Sequence, residues 1–395
     1  MSAQRRRAEA TLAAFVGVVI LVVGGGAIWL VSTAMPVHEN AAAVQSTEMA
    51  AHAERYADPV EESRRRARAL AVGANLPGVS VAVAVDGEIA WAEGFGWADA
   101  ERTPVTPLTR FRLGALSKPL TAFAAALLFQ RGRLDLDAPV QRYVPAYPKK
   151  QWTLTTRQLL GDVAGVHRPR GDNTWDSMPN QQCASLDEAV TLFAGDELKF
   201  EPGTQYHYSI YGWILVSAVV EGAAGEPFAR FMHRQVFEPL GMERTLATEP
   251  DGADGVSSLN LQSIFGIPRG VEPERPAYSC LAGAGAFLST PTDLVRLGSA
   301  MLKPGVLTAE TIAAFQTPTR LASGASTTYA LGWTVGHVQL AGRTVRLVSH
   351  RGSPQGGYAS LLTFPDLGLA VAVTGNLNAD AVNPFALQVA EAFVD

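Results

Sequence analysis

The chain runs to 395 residues with 47% hydrophobic and 17% charged side chains, enough apolar material for a large core and too much for a disordered polypeptide. Its 32 Lys and Arg against 37 Asp and Glu leave a net charge of −5, with no basic stripe or aromatic–basic interleaving, which argues against nucleic acid as a partner. Two cysteines, Cys183 and Cys280, are too few for a disulfide scaffold and lack metal-ligand spacing, so both are read as free thiols, with a single bridge as the alternative.

The run from Thr11 to Ala34 carries no charge and is long enough to cross about 30 Å of hydrocarbon as a helix. Arg5, Arg6 and Arg7 precede it and the next Lys or Arg is Arg55, so the positive-inside rule leaves residues 1–10 as a cytoplasmic tail and the rest on the extracytoplasmic, periplasmic side. A cleaved signal peptide, processed near Ala41-Ala42-Ala43, competes with a single-pass anchor, but a signal's apolar core runs only about 7 to 15 residues. Residues 35–60 are Ala-rich and aperiodic, as a mobile linker would be.

Beyond the linker, Glu61 to Ala74 reads as a helix, and Val79 to Val85, Asp86-Gly87 and Glu88 to Gly94 as strand, type I′ turn and strand. Apolar spacings of three and four predict helices over Leu120–Gln130, Leu186–Ala194, Ile210–Ala223 and Pro227–Phe237. Thr290, Pro291 and Asp293 form a helix start with Thr290 as N-cap and Asp293 reaching back, the helix running to about Leu302. Strand character returns over Tyr329–Val335, Thr344–His350, Tyr358–Phe364 and Leu369–Thr374, before a closing helix from Pro384 to Phe393. Strands at both ends with helices between them predict an α+β domain over residues 61–395, interrupted by a helical insertion at about 120–300.

The chemistry concentrates in three segments. In the first, Lys118 follows Ala115 by three residues at a helix start, so both share one face. A hydroxyl at 115 would lie near the positive end of the helix dipole with an amine in reach of its proton, as in Ser-x-x-Lys enzymes, but Ala115 has none. Ser117 is no simple substitute, since adjacent helical positions point about 100° apart. Phe111-Arg112-x-Gly114-x-x-Ser117-Lys118-Pro119, followed by Gly132-Arg133-Leu134-Asp135, resembles class C beta-lactamases, penicillin-binding proteins and related esterases. Phe200-Glu201-Pro202-Gly203-Thr204, Tyr208-Ser209-Ile210, Pro239-Leu240-Gly241-Met242 and His350-Arg351-Gly352 follow in the family's order, and Ala282-Gly283-Ala284-Gly285 resembles its mitochondrial beta-lactamase-like branch.

The resemblance covers about Leu76 to the C-terminus and implies a beta-lactamase/transpeptidase-like fold: a central antiparallel sheet, flanking helices and an inserted helical domain. It also implies a serine hydrolase acting on amide or ester bonds of peptide-like substrates through an acyl-enzyme, inactive as written because Ala115 stands at the nucleophile position. It makes Tyr208 a base or proton relay beside Lys118, a role that needs a close ammonium to favour the phenolate. It sets His350 on the third motif and makes Ile210, Gly352, Ser353 and Gly283 candidate substrate contacts, with Ile210 where the family has asparagine. Arg351 adds a site for an anion, and Asp162, His167 and Arg170 form a loop near the cleft. Singly, Lys118 reads as a surface lysine, Tyr208 as a half-buried aromatic and His350 as a strand histidine; their ordered occurrence points to one cleft. Alanine at 115 is either natural or an introduced replacement. A pseudoenzyme that binds ligand or scaffolds, and self-assembly through the helical layer, are the other readings. No cofactor, metal or nucleotide is expected, because the histidines are scattered and no glycine run precedes a Lys-Ser/Thr pair.

Overall fold

A computed structural model describes residues 14–26, 37–49, 53–99, 102–168, 182–247, 262–264, 267–269, 278–354, 356–377 and 381–394. The helices are α1 (14–26), α2 (Ala57–Gly73), α3 (Ser117–Gln130), α4 (Thr156–Leu160), α5 (Leu186–Ala194), α6 (Ile210–Ala224), α7 (Phe228–Phe231, continued by a π turn over Met232–Phe237), α8 (Tyr278–Leu281), α9 (Pro291–Ala300), α10 (Ala309–Phe315) and α11 (Val382–Ala392). The strands are β1 (Ser46–Glu48), β2 (Gly78–Val85), β3 (Glu88–Gly96), β4 (Phe111–Arg112), β5 (Gln262–Ile264), β6 (Ile267–Arg269), β7 (Leu288–Ser289), β8 (Thr334–Leu340), β9 (Arg343–Gly352), β10 (Tyr358–Phe364) and β11 (Leu369–Gly375).

Seven strands form one antiparallel sheet in the order β1-β3-β2-β11-β10-β9-β8, so the N-terminal hairpin and the C-terminal meander meet at β2 and β11. The alternation in β2 and β11 explains both layers. Val79, Val81, Val83, Val371 and Val373 point to one face, under Val60 and Ala67 of α2 and Phe385 and Val389 of α11. Ala82, Ala84, Ala370 and Ala372 point to the other, where their small side chains let α9 approach closely. Gly298 of α9 is part of that fit, since a Cβ there would come within 3.2 Å of the Ala370 methyl. Asp86 and Gly87 both take positive φ, 52° and 90°, as the predicted type I′ turn requires.

Several expectations change. The helical insertion does not reach 300 as a separate layer: α9 lies on the sheet with β2 and β11. Thr290 caps it by accepting from the Asp293 N–H, but Asp293 turns instead to Arg244 N, Thr245 Oγ1 and Arg296. The strand expected at Tyr329–Val335 begins only at Thr334, because the chain turns tightly at Gly332 (φ 88°), with Ala330 N bonded to Trp333 O. Part of the linker is docked, not loose: β1 pairs with the edge strand β3, and His38 and Val44 are buried. Pairing satisfies the edge's backbone groups, a force that composition does not reveal. Arg64 of α2 fastens this corner, bonding Glu93 at 2.9 Å and Glu48 at 3.2 Å, while Trp91 Nε1 donates to Glu93.

The cysteines are not free. Cys183 and Cys280 form a disulfide with Cα atoms 5.0 Å apart, because α5 and α8 pack together although 97 residues separate the two positions. At the N-terminus α1 exposes apolar side chains such as Phe15, Ile20 and Leu21, and among the described residues no helix is long and apolar enough to cross a membrane. The remainder of the apolar run, with Arg5, Arg6 and Arg7, lies outside the described residues.

Candidate active site

The first wall of the site is the entry to α3. β4 pairs with β7, and Leu113 N–H donates to Phe287 O, bringing the chain to Gly114, whose φ of 51° turns it into a single 3-10 turn over Gly114–Leu116. Ala115 sits in this turn and lines a cavity of about 380 Å³. The end of β9 presses against the same turn: a Cβ on Gly352 would fall 1.8 Å from Leu113 O, so only glycine fits. Pro119 lies in the first turn of α3, where no backbone donor is needed.

The second wall is built around Asp162. This residue takes φ 53°, uncommon without a glycine, and is held there by its neighbours. Its backbone oxygen accepts from His207 N–H, and Oδ1 accepts from Ser209 N–H at 3.3 Å and Trp213 Nε1–H at 3.2 Å. Ser209 caps α6 by accepting from Gly212 N–H and donates its hydroxyl proton to His167 O. These bonds strap the loop after α4 to the start of α6 and aim Tyr208 and Ile210 into the cavity. His167 contributes through its backbone, and Arg170 lies outside the described residues.

Lys118 is fully buried beneath this floor. Its Nζ lies 3.4 Å from the centre of the Tyr208 ring and 5.5 Å from that of Trp213, and has no hydrogen-bond partner. The amine therefore meets the ring face of Tyr208, which changes the electrostatic expectation. Burial first, and then the Asp162 charge, pushes the Tyr208 phenol up, away from phenolate. Burial pushes Lys118 down to about 8, opposed by Asp162, and pushes Asp162 up to about 6, opposed by Lys118. Ser117 is equally buried, but its Oγ accepts from Phe287 N–H and Lys118 Nζ has no partner, so that hydroxyl is not engaged with the amine.

The third wall comes from β9. His350 Nδ1 lies 2.8 Å from Arg351 O, which can only accept, so Nδ1 carries the proton and Nε2 accepts from the Tyr329 hydroxyl at 3.1 Å. Burial first, with the charge of Lys118 adding to it, drops His350 to about 3, so the imidazole is neutral at ordinary pH. Arg351 and Ser353 border the same cavity.

Of the predicted residues, Ala115, Tyr208, Ile210, His350 and Ser353 line one cavity, with Lys118 directly behind it. Gly352 backs the wall, and Gly283 lies elsewhere, its N–H donating to Ser217 and its oxygen accepting from Thr121. Sequence reasoning missed Tyr206, Tyr329 and Thr334, which complete the lining. The spacing of Tyr206 two residues before Tyr208 offered a signal; Tyr329 lies in a segment misread as strand and offered none.

The sequence profile of the family described as Beta-lactamase matches residues 63–392. The chain belongs to the beta-lactamase family. The human serine beta-lactamase-like protein LACTB, mitochondrial, is 26% identical over 443 residues, covering 86% of this chain and 80% of the relative. A penicillin-binding protein of Bacillus subtilis (strain 168) is 26% identical over 302 residues, covering 73% of this chain and 65% of its own. Among solved structures, the octameric penicillin-binding protein homologue from Pyrococcus abyssi gives a TM-score of 0.67 at 23% identity, over 84% of this chain and 76% of that one. D-amino acid amidase from Ochrobactrum anthropi SV3, complexed with L-phenylalanine amide, gives 0.66 at 23% identity, over 81% and 94%. These likenesses establish the beta-lactamase-like fold in which the cavity sits.

Proposed function

We propose that this chain is a beta-lactamase-fold serine hydrolase scaffold for peptide-like amides or esters, held at a membrane by its N-terminal apolar segment, with Ala115 at the nucleophile position. The observation that carries this reading is the state of Lys118: its buried amine sits one helical turn from Ala115 without a hydrogen-bond partner, where an acyl-enzyme mechanism needs a hydroxyl. Loss of a serine nucleophile costs on the order of 10⁶ in turnover. Intact-mass measurement with a fluorophosphonate or a beta-lactam tests it. The unaltered chain is expected to gain no adduct and Ala115→Ser to gain one at residue 115; an adduct on the unaltered chain sinks the reading.

A second reading, a binding pseudoenzyme, draws support from the cavity itself, which keeps about 380 Å³ and a lining of tyrosines, His350 and Arg351 around Ala115. Ligand capture without turnover favours it. The anchor is supported by the exposed apolar side chains of α1, and an extracytoplasmic position by the Cys183–Cys280 disulfide, since such bridges persist in oxidising compartments. Retention of the full chain in membranes after alkaline carbonate washing is the expected result; release into the supernatant removes the anchor from the proposal.

A further inference from the structure

The polypeptide that leaves the N-terminal apolar run is fixed to the domain almost at once. Between Ala34, where that run ends, and Val37, the first docked residue, stand only Met35 and Pro36, neither of them charged. Val37 N–H donates to Asn75 Oδ1 at 2.8 Å, and His38 Nε2–H donates to Leu76 O at 3.0 Å and to Pro77 O at 3.1 Å. His38 and Val44 are buried, and Gly96 N–H donates to Gln45 O before β1 continues the pairing along β3. Residues 37–48 therefore form a strap that meets the sheet at one end, where β2 begins and β3 finishes. An extended chain covers at most about 3.6 Å per residue, so Val37 lies within about 11 Å of Ala34. The headgroup layer on one side of a bilayer is itself roughly 5 to 7 Å deep, which leaves the strap almost no slack.

The surface around the strap's entry suits that neighbour. β3 runs past Gly96 into a loop closed by the Trp97–Pro104 bridge and by Ala98 N–H donating to Thr103 O. In this loop Thr103 and Pro104 are exposed, and the exposed Arg102 guanidinium stands 6.0 Å from the centre of the half-buried Trp97 ring. Trp97 N–H donates to Pro77 O, the acceptor that His38 also uses, so loop and strap meet. Leu108 follows closely on Val105, whose N–H donates to Gly96 O. Among the described residues beyond α1, no large apolar side chain is more exposed than Leu108, at 50%. Tryptophan, arginine and a protruding leucine are side chains that the headgroup level accommodates. The exposed Glu39 offsets Arg102, so seating here does not call for anionic lipid. We propose that this end of the sheet, made of the strap's entry, the Trp97–Pro104 loop and Leu108, rests on the phospholipid headgroups and fixes how the domain stands on the bilayer. The proposal rests on the reading of the N-terminal apolar segment as a membrane anchor. β3 spans Glu88–Gly96, so Glu88 lies roughly 25 Å from the seated end.

The test uses the full chain reconstituted in phosphatidylcholine vesicles, part of whose lipid carries a nitroxide on the headgroup. Thr103→Cys, Leu108→Cys and Glu88→Cys are each labelled with bimane; Cys183 and Cys280 are bridged, so each variant offers one free thiol. Flotation on a density gradient reports attachment to the vesicles, and thermal melting verifies that each variant is folded. Bimane at residues 103 and 108 should be quenched severalfold more than bimane at residue 88, and without nitroxide lipid the difference should vanish. Equal quenching at all three positions, or none at 103 and 108, in a chain that floats with the vesicles overturns the seating and leaves the anchor standing. A chain that stays at the bottom of the gradient overturns the anchor and the seating together.

Discussion

Lys118 holds its proton to about 10.5 in an unfolded chain but releases it near 8 when buried, so between those values the folded state binds fewer protons and stability rises with pH. Asp162 runs the other way. It ordinarily ionises near 3.8 and in the folded protein near 6, so the stability it contributes in acid is lost as pH climbs through that interval. Urea unfolding of the unaltered chain should therefore show stability climbing from pH 8 to 10.5, and Lys118→Met should lack that climb. An identical climb in the variant would assign it to other groups. A second residue-scale prediction concerns Gly352. A Cβ there would collide with Leu113 O, so Gly352→Ala should destabilise by about 3 kcal/mol or more, read from the urea midpoint at constant slope, and should widen the turn carrying Ala115. The spacing of Ala115, Lys118, Tyr208 and His350 was readable along the chain because each belongs to a short motif. What the lysine touches was not: the choice between the ring face and the hydroxyl of Tyr208 depends on where the Asp162 loop lies, and that loop is shaped by one unusual backbone angle and by hydrogen bonds to residues 207, 209 and 213.

Among the elements, α2 shows how few contacts fix a helix on a sheet. Arg64 meets a carboxylate, Glu93, that is almost wholly buried between the helix and β3. Arg64→Ala should cost roughly 3 to 5 kcal/mol, because the remaining charge would lose its main partner, whereas replacing both Arg64 and Glu93 by apolar residues of similar size should cost far less. A double-mutant cycle by chemical denaturation measures this, and equal losses in both variants would contradict it. The disulfide joins the segment just before α5 to α8, and Cys183→Ser with Cys280→Ser should lower stability by roughly 5 kcal/mol, given a loop of 97 residues. Short elements with strong local signals, such as the β2–β3 hairpin with its Asp86-Gly87 turn, were legible from sequence. β1 and the true start of β8 were not, since one depends on a distant strand edge and the other on a turn at Gly332 that period-two patterning does not register.

At the scale of the whole molecule, the sheet is assembled from the two ends of the domain, with Val85 opposite Leu369 and Val79 opposite Gly375. The α+β order was evident from strands flanking helices; the strand order was not, because nothing in β2 names β11 as its neighbour. A chain ending before β8 should therefore lack cooperative melting by circular dichroism even though α3 and α6 and their apolar partners remain, since β2 would expose an unpaired edge. A sharp melting transition in such a truncated chain would show the helical layer to be self-sufficient. The β2–β11 seam also has a consequence in time. While the ribosome is still at work, β2 has β3 on one side only, and the seam closes only once β11 has emerged. Completion of the sheet is then late and dominated by distant pairings, and the open edge of β2 is the surface exposed to wrong partners in the meantime.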